Sequence, residues 1–386
     1  MKKALKIVLV LGLMVTAFMG GFYSAKREAS QSLAEEVISN LDLTSEKGVE
    51  LPLEKYALDK LSYEQATESA IVLERVLADE EKYWTVIFSF WPEGRKMSGA
   101  MNIPKEGEVA GTIVMLRGWA PLNNYQSGTG TKNAAAYYAR EGNFLTVAPD
   151  FFGYGDSDPE PEDTWQARFE KPLLVMDLFK SLEMGEIRCA EVETSNLKPG
   201  SLEEAFGEVC RSANLQKIKT PLEKMAMWGH SNGGQIALSV LETMQRPIPT
   251  TLWAAVTAPF PYSIIFFSDE NDDEGKAMRR WLSIFERDYD VFDFTITKNL
   301  ALIAPETEIL LHHGTADEAA LIAWAEEFTI KMEEENKGRS AKQKFDFTLF
   351  KYPGADHNLR PGWDKVVERD LDFFKQVFAT QLDLHL

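Results

Sequence analysis

The chain has 386 residues, enough for one large domain or two of medium size. An apolar fraction of 45% supplies a substantial core. A formal charge of −19 excludes a surface built for nucleic acid, which rewards clustered Lys and Arg, and reads as a solvated, soluble exterior.

At the N-terminus Lys2, Lys3 and Lys6 precede an uncharged run from Ile7 to Tyr23. A basic stretch followed by a hydrophobic one is the layout of an export signal. The run is at the short end of the roughly 17–25 residues that span a bilayer. Cleavage after Ser24 or Ala25 would leave Phe22 or Tyr23 two positions earlier, where a small residue is wanted. Residues 1–25 are therefore expected to be a signal peptide or a membrane anchor, the uncleaved anchor being favoured, with the lysines inside. Either way the body lies outside the cytoplasm, secreted or held at the membrane. Residues 26–68 are polar and helix-prone and read as a stalk and lead-in helix, and residues 69–386 as the main domain.

Within that domain 69–78, 83–91 and 96–104 read as consecutive strands, rich in aromatic and β-branched residues and separated by charged turns. The apolar run 111–118 is a buried strand, followed by a helix near 131–141, a strand at 143–150 and a helix near 164–184. The stretch "KMAMWGHS" is a further strand with its helix, then come strands 251–259 and 307–317, a helix near 319–335, a strand at 345–354 and a last helix near 362–379. Apolar strands alternating with helices predict an α/β domain whose mostly parallel, doubly wound sheet is covered on both faces, with antiparallel edge strands at the N-terminal side. Segments 185–222 and 260–303 break the alternation and are expected as cap insertions over the top of the sheet, where active sites form.

Gly229-His230-Ser231-Asn232-Gly233 is a G-x-S-x-G element with a strand before it and a helix after it. So sharp a turn projects the serine hydroxyl alone above the sheet, and glycines two residues away on either side remove side chains that would clash. The Asn232 backbone N–H lies at the helix N-terminus, where developing negative charge is stabilised. The alternative is a glycine-rich helix start with an idle serine.

A serine hydroxyl needs a base. Of five histidines, His230 adjoins the serine and reads as support for the turn, His312 and His313 lie within a strand, and His385 is at the frayed end. His357, in a loop just after a strand, remains. The base needs a carboxylate, and the order Ser, acid, His is met by Asp317 at the exit of strand 307–317. Glu318 is the neighbouring alternative, Asp356 is too close in sequence to reach the ring easily, and Asp317 could instead merely cap the next helix. A second oxyanion donor is expected from the loop after strand 111–118, where Gly118 gives backbone freedom and the Trp119 N–H is the candidate. The Trp119 ring either walls the pocket or packs.

Two cysteines, Cys189 and Cys210, are expected to form a disulfide in an exported protein. They are too few for a cysteine-ligated zinc, and no HExxH occurs, so neither metal nor cofactor is expected. The acidic stretch 268–275 lacks EF-hand spacing and reads as a solvated turn.

The stretches "MLRGWAP", "APDFFGYGDSD", "MWGHSNGG", "LLHHGTADE" and "YPGADHN" resemble the α/β-hydrolase superfamily, and within it the catalytic domain of prolyl-oligopeptidase-type serine peptidases and their dienelactone-hydrolase-like relatives. The resemblance spans residues 111–358. It implies an α/β-hydrolase fold with Ser231 as nucleophile, Asp317 as acid and His357 as base, acting on a small ester or peptide substrate. Arg117, Trp119 and Phe152 depart from the residues common at their positions, which bears on the oxyanion geometry and the pocket polarity; Arg117, Tyr154 and His230 are the candidates for the substrate pocket. The resemblance favours a peptidase. The large oligopeptidases screen substrates with a propeller that is not read here, which favours a carboxylesterase or small-peptide hydrolase. A non-catalytic surface binding protein with a hydrolase fold is the contrasting reading, although such proteins usually have lost a triad residue.

Overall fold

The computed structural model describes residues 51–191, 198, 200–269 and 273–383. The N-terminal segment 1–25, the expected stalk up to residue 50, part of the acidic stretch and His385 lie outside the described residues.

Ten strands form one sheet: β1 (Ile71–Asp79), β2 (Tyr83–Phe90), β3 (Met97–Pro104), β4 (Thr112–Leu116), β5 (Leu145–Pro149), β6 (Ile187–Cys189), β7 (Met225–His230), β8 (Thr250–Trp253), β9 (Glu308–Gly314) and β10 (Asp346–Tyr352). Their spatial order is β10-β9-β8-β7-β4-β5-β3-β2-β1-β6. Pairings from β10 through to β5 are parallel, whereas β5–β3, β3–β2 and β2–β1 are antiparallel. Strands β4, β5 and β8 are buried throughout, which is why they read as unbroken apolar runs.

Helices α1 (Lys132–Gly142) and α10 (Trp363–Asp383) cover one face. Ala134, Ala135 and Tyr138 pack there with Phe374 and Trp228. On the other face lie α3 (Lys171–Met184), α6 (Asn232–Met244) and α9 (Ile322–Gly338), which bury Phe179, Leu238 and Phe328 in a second, larger core. The helix expected near 164–184 is two helices, α2 (Thr164–Phe169) and α3, meeting at Glu170. Pro172 sits in the first turn of α3, where its missing N–H costs nothing. Strand β8 ends at Trp253 rather than running to 259, because Ala254 takes a positive φ of 44° that turns the chain away.

Two expectations about segments are corrected. Residues 52–66 hold only two short 3₁₀ turns, and the first belongs to the cap: Leu53, Tyr56 and Ala57 are buried with Trp165, Phe260 and Phe294. No stalk-like lead-in helix exists in that stretch. The described residues of segment 185–222 do not roof the site. The segment supplies β6, which pairs in parallel with β1 at the far edge of the sheet, α4 (Leu202–Val209), whose Phe206 and Val209 enter the larger core, and the short α5 (Ser212–Gln216). Only 260–303 behaves as a cap: α7 (Tyr262–Ser268) and α8 (Lys276–Asp288) pack Ile264, Met278 and Phe285 around the same aromatic cluster as Tyr56.

Cys189 and Cys210 are disulfide-bonded, with Cα atoms 6.0 Å apart. The bond ties β6 to the end of α4. Closing a loop of 21 residues is worth about 3 kcal/mol in the chain-entropy account. Because β6 lies at the edge of the sheet, with five strands between it and β7, Cys189→Ala/Cys210→Ala is expected to lower unfolding stability by about that amount while leaving kcat/KM within a factor of about two. Urea unfolding and a rate assay on the same preparation check both, and a large fall in kcat/KM with stability intact would contradict the edge assignment.

Candidate active site

The strand β7 ends at His230 and α6 starts at Asn232, so the whole turn falls on Ser231. Its φ of 56° and ψ of −122° are a strained backbone for a residue with a side chain, at a cost of about 1–3 kcal/mol. Surrounding bonds hold it there: Ser231 N–H donates to Trp253 O at 2.9 Å, and Ser231 O accepts from Gly234 N–H at 3.0 Å and Val256 N–H at 3.1 Å. The flanking glycines are sterically required. A Cβ at Gly233 would lie 2.0 Å from Leu116 O, and one at Gly229 would lie 2.7 Å from Gly233 O.

The loop after β4 passes directly against this turn, since a Cβ on Gly118 would come 2.8 Å from Ser231 Cβ. Two of the pocket candidates hold that loop. The Arg117 guanidinium donates to Gly118 O at 2.9 Å and Asp150 O at 2.8 Å and stacks on Tyr125 and Tyr154. Tyr154 O–H donates to Ala120 O at 3.0 Å. Asp150, fully buried, anchors the other side by accepting from Tyr125, Ser127 and Ser98 hydroxyls at 2.6 Å each. Trp119 is 77% exposed; its ring is not packed in the core and lines a small cleft of about 190 Å³ with Gly118, Tyr154 and Asn232.

Asp317 follows β9 and His357 follows β10, two neighbouring parallel strands, so both reach the same rim. His357 Nδ1–H donates to the Asp317 carboxylate, 2.9 Å to Oδ2 and 3.1 Å to Oδ1. Oδ1 also accepts from the Ala319 and Ala320 N–H groups at 2.9 Å each. Burial raises the Asp317 pKa, but the His357 bond and the Ala320 N–H outweigh it, and the group ends below its ordinary value. Asp317 does not cap α9, which starts at Ile322 after Leu321 with no side-chain cap; the carboxylate holds the turn at Ala319 and Ala320 and the His357 ring together. Glu318 makes no comparable contact with the ring among the described residues, and Asp356 accepts from the backbone of its own loop, Asn358 and Arg360.

The other described histidines are occupied elsewhere. His312 is fully buried beside Asp370, 2.8 Å away, in a cluster that also joins Tyr138 and Trp253 to that carboxylate. His313 Nε2–H donates to Ala320 O at 2.7 Å. His230 Nε2–H donates to His357 O at 2.9 Å, with ring centroids 4.8 Å apart, so it braces the His357 loop. Burial, and then the facing His357 ring, push the His230 pKa down to about 4. The unfolded chain would protonate this ring near 6.5, so the unfolded state takes the proton first as pH falls and stability declines between about pH 6.5 and 4. His230→Gln is expected to remove about 2 kcal/mol of that decline, the partial exposure of the ring being allowed for. Denaturant unfolding at pH 7 and pH 5 checks it, and an equal decline in the variant would contradict it.

A cavity of about 280 Å³ opens between the cap and the start of α6, lined by Tyr56, Arg168, Lys171, Asn232, Gln235 and Phe260 among others. It shares Glu160, Lys171, Asn232 and Ile236 with the cleft at Gly118 and Trp119, so the two adjoin. Tyr56, Arg168, Lys171 and Gln235 are not legible in the sequence as site residues. No motif marks them, and they meet only because the cap, α2 and α6 converge.

Residues 206–381 match the prolyl oligopeptidase family. No curated protein matches the chain significantly. Among solved structures, acetyl xylan esterase 1 from Thermoanaerobacterium sp. is similar at a TM-score of 0.52 and 12% identity, over 84% of this chain and 92% of that one. A puromycin-hydrolysing peptidase of Mycobacterium tuberculosis is similar at 0.50 and 14%, over 78% of this chain and 40% of that one. At these identities the likeness is one of fold. With the parallel sheet, the strand–turn–helix at Ser231 and the family match toward its C-terminus, the chain is a serine hydrolase with the α/β-hydrolase fold, similar to the prolyl oligopeptidase family over residues 206–381.

Proposed function

We propose that the chain cleaves a small ester or amide through an acyl-enzyme, with Ser231 as nucleophile, His357 as base and Asp317 as its carboxylate partner. Ser231 Oγ attacks the carbonyl carbon while His357 Nε2 accepts the hydroxyl proton. The same proton passes to the leaving alkoxide or amine as the acyl bond breaks. Water then attacks the acyl-enzyme, with His357 accepting its proton and returning it to Ser231 as the acid departs. The tetrahedral oxyanion is held by the Asn232 N–H, at the start of α6, and the Trp119 N–H. The observation that carries this reading is the Asp317 carboxylate seated on His357 Nδ1, which leaves Nε2 as the acceptor.

The family match supports a peptidase acting on short peptides. A carboxylesterase is the second reading, supported by the fold shared with acetyl xylan esterase 1. A panel of short-chain 4-nitrophenyl esters against aminoacyl and prolyl 4-nitroanilides tests the choice. Amide kcat/KM within about tenfold of the best ester supports the peptidase, and ester turnover alone supports the esterase.

We also place the chain outside the cytoplasm, secreted or held by its N-terminal segment. The disulfide supports an oxidising compartment. Among the described residues no helix is long and apolar enough to cross a membrane, so any anchor is assigned to residues 1–25.

A further inference from the structure

The cavity beside Asn232 is mostly aromatic and aliphatic, yet it carries two cations, Arg168 and Lys171, against one carboxylate, Glu160. Glu160 lies 3.8 Å from Lys171, so the acid is taken by the lysine. Arg168 has no carboxylate within ion-pair distance among the described residues. Its one hydrogen bond there goes from Nη2 to the neutral Gln235 Oε1 at 2.7 Å. Burial pulls Arg168 down to about 10 with no opposing carboxylate, leaving it protonated at neutral pH. A partly buried cation held by a neutral amide is unfavourable without an anion, and the chain as a whole has acid to spare, with a net charge of −19. The arrangement is that of a site waiting for an anionic group.

We propose that Arg168, presented by Gln235, is the specificity determinant of the acyl pocket and binds a carboxylate on the substrate's acyl portion. The inference rests on the Ser231 hydrolase reading given above. Gln235 follows Asn232 by three positions on α6, about 4.5 Å along the helix axis. A guanidinium held there is suited to a carboxylate a few atoms from the scissile carbonyl, as in a half-ester of a four- or five-carbon diacid or an acyl-side Asp or Glu. A guanidinium binds a carboxylate in bidentate fashion, and Tyr56, Trp165 and Phe260 line the same cavity with aromatic surface.

The test is the ratio of kcat/KM for 4-nitrophenyl monoglutarate to that for 4-nitrophenyl valerate, with a second arm comparing glutamyl and glutaminyl 4-nitroanilides to separate a diacid half-ester from an acidic peptide. The wild-type protein is expected to prefer the anionic member of at least one pair by tenfold or more. Arg168→Gln should lower that ratio at least about tenfold and Arg168→Lys should restore part of it. Glu160→Gln, on an exposed side chain, should shift it the opposite way by removing repulsion. A purely structural role for Arg168 would lower both members of a pair together and leave their ratio alone. Fluorophosphonate labelling of each preparation separates the failures. Labelled protein that hydrolyses valerate without anionic preference, or an Arg168→Gln variant with an unchanged ratio, overturns the carboxylate site and spares the hydrolase reading. Protein that neither labels nor turns over any ester overturns both.

Discussion

Ser231→Ala is expected to lower kcat by about four to six orders of magnitude while the protein folds as before. The variant is informative because the serine's structural work is done by its backbone. The N–H bond to Trp253 O and the acceptor role toward Gly234 and Val256 do not involve Oγ. Alanine also keeps the Cβ that the positive φ of 56° must already accommodate. Among the described residues no hydrogen bond holds Oγ, so its loss leaves no buried partner unpaired. Stability should therefore stay within about 0.5 kcal/mol. Steady-state rates and a thermal melt on the same sample check this. A variant retaining wild-type turnover would remove Ser231 from the chemistry.

Asp317→Asn should cost about 10³–10⁴-fold in kcat, and the backbone around it explains why. In the native protein Oδ1 accepts from two backbone N–H groups, Ala319 and Ala320. An asparagine has one oxygen, and those two donors fix it on their side. The amide NH₂ then faces His357 Nδ1, which must become an acceptor, so the ring proton moves to Nε2 and the ring can no longer take the Ser231 proton. The pH profile carries a second sign. Asp317 titrates below its ordinary value and His230 near 4, so neither gains a proton in an assay above about pH 5. An acidic limb of the wild-type rate profile above about pH 5 should therefore come from neither of these groups. Asp317→Asn should lose rate across the range while its fold persists. An Asp317→Asn variant within tenfold of wild type would show that His357 is oriented by another group.

The parts of the site that can be read from the sequence are those written locally. Ser231, Asp317 and His357 each follow an apolar strand, and parallel strands deliver their C-terminal ends to one rim whatever their order in the sheet. Gly229 and Gly233 are legible for the same reason, because the turn that crowds them is written in the same strand–turn–helix. Position across the sheet is not local. Segment 185–222 looks like any polar insertion, and the three residues of β6 carry no periodicity to show that they pair with β1, far away in sequence. Tyr56 and its neighbours read as a lead-in helix because polar, helix-prone composition describes exposed residues well. It says nothing of a few apolar residues that fill a cap built from a distant part of the chain. Arg117 and Tyr154 illustrate a third limit. Their chemistry suggests a pocket wall, and they do border the cleft, but most of their bonds go to the backbone of the loop at Gly118 and Ala120. Such a role depends on which carbonyls the fold brings within reach.

The central claim is that Ser231 is the one activated serine of an acyl-transfer site. The most direct measurement is to treat the full chain with a fluorophosphonate at neutral pH, weigh the intact product and map the adduct by peptide mass. One phosphonyl group per chain is expected, carried on Ser231, with labelling slowed in step with hydrolysis by His357→Gln. An unmodified Ser231 in protein that hydrolyses esters, or an adduct at another residue, would contradict it.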